Sequence, residues 1–221
     1  CTPVVFASSK LASYHRNAID KRNFQFRLCD SIEDIKEGAN NLMLSWDDNV
    51  EITLGLPTDV SGAYALKSID TAIDAAKNGK IHALLTAPIN KHNIAASVEG
   101  FSGHTGYLAK EFGNDVLMIL ASDGLKVATV TGHVPISKVA EGITEDSIKK
   151  AIALLAQSLK RDFGVVKPRI AVLGLNPHAG EMGTIGNEEK DIIRPAIENT
   201  EQKNTIVKGP FPADGFFGQG F

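Results

Sequence analysis

The sequence predicts an α/β fold with a largely parallel sheet. Three observations carry that expectation. Short apolar runs of strand length recur along the 221 residues, with helical periodicity between them. The run 170–175 is apolar throughout, as a strand covered on both faces of a parallel sheet would be. Turns rich in glycine, proline and asparagine follow the runs at their carboxyl ends, where open α/β sheets hold their ligands.

In chain order, 2–6 reads as a strand, and Ser8 and Ser9 as caps for a helix running to about Arg22. Residues 24–28 form a second strand candidate, and 32–40 are polar and irregular. Weaker strand candidates at 42–46 and 50–54 flank an Asp47-Asp48-Asn49 turn. From 61 to 78 the period changes. Ala65, Leu66, Ile69, Ala72, Ile73 and Ala76 make one apolar helical face, and Gly79 supplies a stop. Residues 81–86 read as a strand that turns through Ala87-Pro88-Ile89-Asn90-Lys91, and a short helix is expected over 107–112. Strands at 116–121 and 125–130 are joined near the tight Asp123-Gly124 turn. Thr144 caps a long helix to about Phe163, with Glu145 and Asp146 at its positive end. Ile148, Ala151, Ile152, Leu155 and Leu159 form its buried face. After the strand at 170–175 come a helix over 188–199, which Pro195 must kink or begin, and a last strand candidate at 205–207.

The turns carry the chemistry. His178 falls in the first turn after 170–175, within L-N-P-H-A-G-E-M-G-T-I-G-N-E-E, and Gly180, Gly183 and Gly186 lead on to Glu188 and Glu189 at a helix start. His133 holds the same place after 125–130, within T-G-H-V-P. Neighbouring strands would bring the two imidazoles together as ligands of zinc or a related metal. From spacing alone the ordinary loop histidine is the better reading of each, and two ligands do not complete a site. His104 and Thr105 stand near a helix's first turn, where free amides favour an anion, phosphate in particular. A polar cap would look the same. Lys91, at a strand end, is either a solvated lysine or a functional cation.

The bulk numbers exclude several classes. A net charge of −3 without a basic block argues against a nucleic-acid partner. No apolar run reaches the ~18 residues of a membrane span, and no signal-peptide pattern is visible. Cys1 and Cys29 do not make a disulfide framework, so a cytoplasmic setting is expected. Neither GxGxxG nor GxxxxGK[ST] occurs, so a nucleotide would bind by another route. The chain opens on Cys1 and closes inside the apolar, glycine-rich stretch 209–221, which suggests a piece of a longer protein.

Five segments stand in one order: A-P-I-N-K-H at 87–92, F-S-G-H-T at 101–105, T-G-H-V-P at 131–135, L-N-P-H-A-G-E-x-G-x-x-G-x-E-E at 175–189, and G-P-F-P-A-D at 209–214. Together they resemble the 4-hydroxythreonine-4-phosphate dehydrogenase family of pyridoxal phosphate biosynthesis. The resemblance covers essentially the whole chain, and the NPHAGE segment is its most specific part. It implies the fold of isocitrate and isopropylmalate dehydrogenases, with two α/β domains around a cleft. It also implies a homodimer with active sites at the interface, and NAD (or NADP) bound without a Rossmann motif. The first domain is expected at 1–100, lacking its N-terminal strand. The second is expected at 101–221, carrying the metal and substrate residues and lacking its C-terminal part.

By the same resemblance, His133 and His178 are two of three histidines that hold a divalent metal (Zn, Mg or Co) shared between subunits. The third belongs to a Tyr-His-Asp-Gln-Gly segment beyond Phe221. His104 and Thr105 match the family's substrate pair. Further Lys, Asn and Arg substrate ligands, and a Gly-Asp-Pro-x-Gly-Ile-Gly opening, lie outside the chain. Lys91 and Asp214 are candidates for proton transfer or for orienting the metal ligands. The implied substrate is a small phosphorylated hydroxy-amino acid, 4-phosphohydroxy-L-threonine. The implied reaction oxidises its C3 hydroxyl with NAD and releases CO2, giving 3-amino-2-oxopropyl phosphate.

The same motifs would serve a paralogous dehydrogenase of a 4-phosphorylated four-carbon acid sugar, 4-phospho-threonate or 4-phospho-erythronate. More distant readings are a phosphate acyltransferase-like enzyme, which needs no metal histidines, and a non-catalytic ligand-binding fragment.

Overall fold

Strand β1 (Val4–Ala7) passes into helix α1 (Ser9–Ala18) through Ser8, whose buried hydroxyl accepts the Leu11 amide at 3.1 Å. An extended residue with a side-chain oxygen at this point satisfies one of the free amides of the helix start. The computed structural model describes residues 1–218 other than 48, 52, 54, 96, 97, 99, 100, 102 and 114. Its contacts divide the chain into two units, Cys1–Asn114 and Asp115–Phe221.

In the first unit, β2 (Arg27–Cys29) and β1 both pair in parallel with β3 (Asn41–Leu44), giving the order β1-β3-β2. The central strand begins with a fully buried asparagine. The Asn41 amide donates to the carbonyls of Pro3, Lys36 and Ala39, and its oxygen accepts the Lys36 amide at 2.9 Å. A buried amide is tolerated because every donor and acceptor is used. Helix α2 (Asp59–Lys77) starts on a reciprocal Thr58–Ser61 capping box and buries Ile69, Ala72 and Ile73, the face expected from its periodicity. Short helices α3 (Lys91–Ala95) and α4 (His104–Phe112) flank it. The Tyr107 hydroxyl bonds Asp70 at 2.6 Å and Lys77 bonds Glu111 at 2.8 Å, tying α4 to α2. Residues 101–114 therefore belong to the first unit, beyond the boundary at residue 100 that the sequence suggested.

Two expectations in this unit need correction. Helix α1 stops at Ala18 rather than Arg22, because Asp20 takes φ +52° and the Lys21 amide turns back to the Arg16 carbonyl. Residues 81–86 form no strand: no neighbour pairs with them among the described residues, and Leu85 is 97% exposed. An apolar run becomes a strand only where another strand offers its backbone. The candidate at 50–54 includes Ile52 and Leu54, which lie outside the described residues.

In the second unit, β4 (Ile119–Ala121) and β5 (Lys126–Ala128) form an antiparallel hairpin through the expected Asp123-Gly124 turn. Helix α5 (Glu145–Arg161) begins on a Thr144–Ser147 capping box with Glu145 and Asp146 in its first turn. Its Ile148, Ile152, Ala156 and Leu159 pack with Ile170, Ile193 and Ala196 as the core. Each large aliphatic side chain so buried contributes about 1.5–3 kcal/mol. Strand β6 (Arg169–Leu173) pairs in parallel with β7 (Ile206–Phe211). It buries Ile170 but exposes Ala171, so it is covered on one face rather than two. Pro195 lies inside a continuous helical stretch: a π-turn at Glu189–Ile193 runs into α6 (Arg194–Glu198), and the wider turn accommodates a residue without an N–H. A last short helix, α7 (Ala213–Phe216), follows β7. No helix among the described residues is long and apolar enough to cross a membrane.

Candidate active site

The second unit holds the longer motif. Parallel pairing sets the carboxyl ends of β6 and β7 side by side: Leu173 is opposite Phe211, and the Gly174 amide donates to the Phe211 carbonyl at 2.8 Å. The chain leaving β6 reaches His178, and the chain leaving β7 reaches Asp214 on α7. His178 Nδ1 then lies 2.7 Å from Asp214 Oδ2, with both side chains open to solvent. In the neutral ring, a proton on Nδ1 would be donated to Asp214 and Nε2 would keep its lone pair. That is the donor chemistry of a metal-binding histidine, so His178 fits the role.

The backbone around His178 is unusual. His178, Ala179, Gly180, Glu181 and Met182 take successive φ values of 53°, 51°, 74°, 43° and 59°, a short left-handed coil. L-residues enter this region singly, at roughly 1–2 kcal/mol each, and seldom in runs. A closed polar network braces the coil. Glu189, 3% exposed, accepts the Asn176 backbone amide at 2.7 Å and the Asn176 side-chain amide at 3.0 Å. Glu188 accepts the same side-chain amide at 2.7 Å. Burial alone would raise the Glu189 pKa, but the bonds from the Asn176 side chain and backbone outweigh it and hold the carboxyl below its usual range. The motif's glycines make room: a Cβ on Gly180 would stand 2.6 Å from Glu189 Oε2, and one on Gly186 would stand 2.7 Å from Glu188 Oε2.

His133 is exposed in the loop after β5, and it too has a left-handed backbone, with φ 56°. Among the described residues, no three histidine, cysteine, aspartate or glutamate side chains converge as a metal site. His178 has a carboxylate beside it, and His133 is exposed on the loop after β5.

The first unit positions the other expected residues. Gly103, with φ 117°, is the N-cap of α4, so His104 and Thr105 open that helix. Ser102 of the same motif lies outside the described residues. The Lys91 side chain lies across Gly103: a Cβ there would meet its Cε at 3.0 Å and its Nζ at 3.3 Å. Burial, and then the charge of Lys91, lower the His104 pKa, favouring the neutral ring. His104 Nε2 is buried and makes no hydrogen bond to the described residues. A buried nitrogen of this kind is a natural contact for a ligand oxygen. Lys91, which the sequence pattern favours as a solvated lysine, is therefore beside the candidate phosphate site. The β1–α1 junction is closed by Ser8 rather than opened by glycines, so it does not fit the Rossmann mode of holding NAD.

Nothing local in the sequence singles out Asn176, and Glu188 and Glu189 read only as a helix start.

The family model described as pyridoxal phosphate biosynthetic protein PdxA matches residues 1–221. A 4-hydroxythreonine-4-phosphate dehydrogenase from Bacteroides thetaiotaomicron is 40% identical over 222 residues, covering 100% of this chain and 61% of the relative. A Salmonella typhimurium structure, of a protein proposed to be such a dehydrogenase, superposes with a TM-score of 0.85 at 29% identity, over 98% of this chain and 67% of that one. The crystal structure of a 4-hydroxythreonine-4-phosphate dehydrogenase from Burkholderia phymatum gives 0.82 at 30% identity, over 99% and 67%. The chain thus spans 61% of the length of the Bacteroides relative.

Proposed function

Because the chain belongs to the PdxA family of pyridoxal phosphate biosynthetic proteins, we propose that it serves the oxidation and decarboxylation of 4-phosphohydroxy-L-threonine. The products are 3-amino-2-oxopropyl phosphate and CO2, with NAD or NADP as hydride acceptor. The observation that carries this reading is the His178–Asp214 pair beyond β6 and β7, a solvent-open imidazole with a carboxylate 2.7 Å from its Nδ1.

In this reading His133 and His178 hold a divalent metal, Zn, Mg or Co. When bound, the metal polarises the substrate hydroxyl and lowers its pKa. Asp214 keeps the proton on Nδ1 of His178, so that Nε2 stays available. His104 and Thr105 receive the substrate phosphate, which meets the free amides of the first turn of α4 and the neighbouring Lys91 ammonium. His104, kept neutral, offers Nε2 as hydrogen-bond donor or acceptor to the phosphate. The phosphate is a handle remote from the reacting carbon, and holding it converts binding energy into orientation. No residue of this chain is assigned to the nicotinamide cofactor. The reading further takes the protein as a cytoplasmic homodimer with the metal site shared at the interface. Two free thiols, Cys1 and Cys29, suit a reducing compartment.

The test is NADH formation with 4-phosphohydroxy-L-threonine, beside 4-phospho-D-threonate and 4-phospho-D-erythronate, each with and without a chelator. Chelator-sensitive turnover of the first alone is expected. Preference for either acid sugar would keep the residue roles and change the substrate. No NADH from any of them would overturn the reading.

A further inference from the structure

We propose that Glu189 is the positioning residue for His178, its buried carboxylate bracing the left-handed coil in the arrangement that presents the imidazole to Asp214. The inference rests on the metal reading of His178 for its effect on metal affinity, but not for its geometry.

Glu189 makes no bond to His178. It acts on the chain on either side of it. Oε1 accepts the backbone amide of Asn176, two residues before His178, and Oε2 accepts the side-chain amide of the same residue. Oε2 also lies where a Cβ on Gly180 would stand, 2.6 Å away, so the carboxylate fills the space under the residue two places after His178. Oε1 faces Gly174, where a Cβ would stand 3.1 Å away, at the end of β6. One side chain, 3% exposed, is thus wedged between the strand end and the coil. The coil residues hold a conformation that non-glycine residues leave readily, so contacts from outside must fix it. A carboxylate suits this position because both of its oxygens accept. A glutamine would turn an NH2 group towards one of the two Asn176 donors.

The test compares Glu189→Gln with the parent chain by long-range 1H–15N NMR of the histidine rings, the His178 signals being identified by their loss in His178→Gln. Co(II) affinity is measured on the same samples. The parent is expected to show one His178 tautomer, with the proton on Nδ1. In Glu189→Gln that tautomer gives way to a mixture, and Co(II) affinity falls roughly 10–100-fold, the usual effect of losing support behind a metal ligand. Ile152→Ala, a core change on α5, is the control for general destabilisation and is expected to leave tautomer and affinity unchanged. An unchanged tautomer in Glu189→Gln, or equal loss in Ile152→Ala, overturns the proposal. Should Glu189→Gln fail to fold, Asn176→Ala carries the test. It removes the side-chain bond and keeps the backbone one, so the same change is expected to a smaller degree, and no change overturns the proposal. A parent chain with a fixed tautomer but no Co(II) binding would sink the metal reading, while the tautomer comparison still decides the role of Glu189.

Discussion

His178 and Asp214 meet at 2.7 Å because β6 and β7 run in parallel and end side by side. Neither residue is held by the core. The strand pairing delivers both, and the turns after the strands do the aiming. A carboxylate behind an imidazole raises its basicity and fixes which nitrogen is free.

Asp214→Asn is therefore expected to keep the fold and lose metal affinity by roughly 10–100-fold. The asparagine retains an oxygen that can accept the Nδ1 proton but lacks the charge that makes the ring a better donor to a cation. Titration with Co(II) followed by its absorption spectrum measures this. Affinity equal to the parent's would show that the pair is only a surface contact of the kind that contributes little.

His133→Ala and His178→Ala are each expected to abolish chelator-sensitive turnover and leave the thermal midpoint nearly unchanged. Both rings are exposed, and no core contact is lost with them. Normal NADH formation in either variant would remove that histidine from the metal site. His178→Ala is the more informative of the two, since Asp214 then loses its partner.

Much of this arrangement was legible in the sequence, and what was not has a physical reason. Helices α2 and α5 could be read because their signals are local: a cap residue, a helical period and a stop. Strand β6 could be read as a strand, but its one-sided burial depends on which strand pairs with it. Residues 81–86 show the same limit more sharply, being apolar, of strand length and unpaired. His178 stood out because a histidine follows a strand. The reach of Asp214 to it depends on β7 lying beside β6, a contact distant in sequence. Glu189 was hardest to see, since an acid at a helix start is ordinary and nothing local says that this one is buried.

His104→Ala is expected to weaken binding of the phosphorylated substrate, with KM rising roughly tenfold or more and kcat changing less. A hydrogen bond to a charged group is worth about 1.5–3 kcal/mol. Lys91→Met should act in the same direction, because its ammonium lies beside the same helix start. Steady-state kinetics over a range of substrate concentrations separates the two parameters. An unchanged KM in both variants would remove the phosphate from this helix.

The depressed pKa of His104 also predicts a pH effect. Burial first, and Lys91 second, hold it below the ordinary imidazole value of 6.5. Below that value the unfolded chain takes up a proton that the folded chain resists. The contribution of His104 to stability is thus complete above pH 6.5 and is lost as pH falls below it. His104→Asn is expected to flatten the dependence of unfolding free energy on pH in that acid range. Denaturant unfolding on both sides of pH 6.5 checks this, and an unaltered slope would show that other groups set it.

Gly62 ties the first unit's packing to its function. A Cβ at this position would collide with the backbone carbonyl of Asn93, because α2 and α3 meet there with no side chain between them. Neither backbone has a flexible end that could give way, so Gly62→Ala is expected to cost about 1–3 kcal/mol, as overpacking does. Gly124 is the opposite case. It has no positive φ and nothing within 4 Å of a Cβ, so Gly124→Ala should stabilise by about 0.4–1 kcal/mol through the unfolded chain. The functional consequence separates the two further. Helix α3 carries Lys91 as well as Asn93, so Gly62→Ala should also raise KM for the phosphorylated substrate, while Gly124→Ala leaves it alone. Denaturation curves and KM measured on both variants decide the matter. A Gly62→Ala chain with parental stability and parental KM would show that α3 can move away from α2 without cost, and that their contact does not hold Lys91 in place.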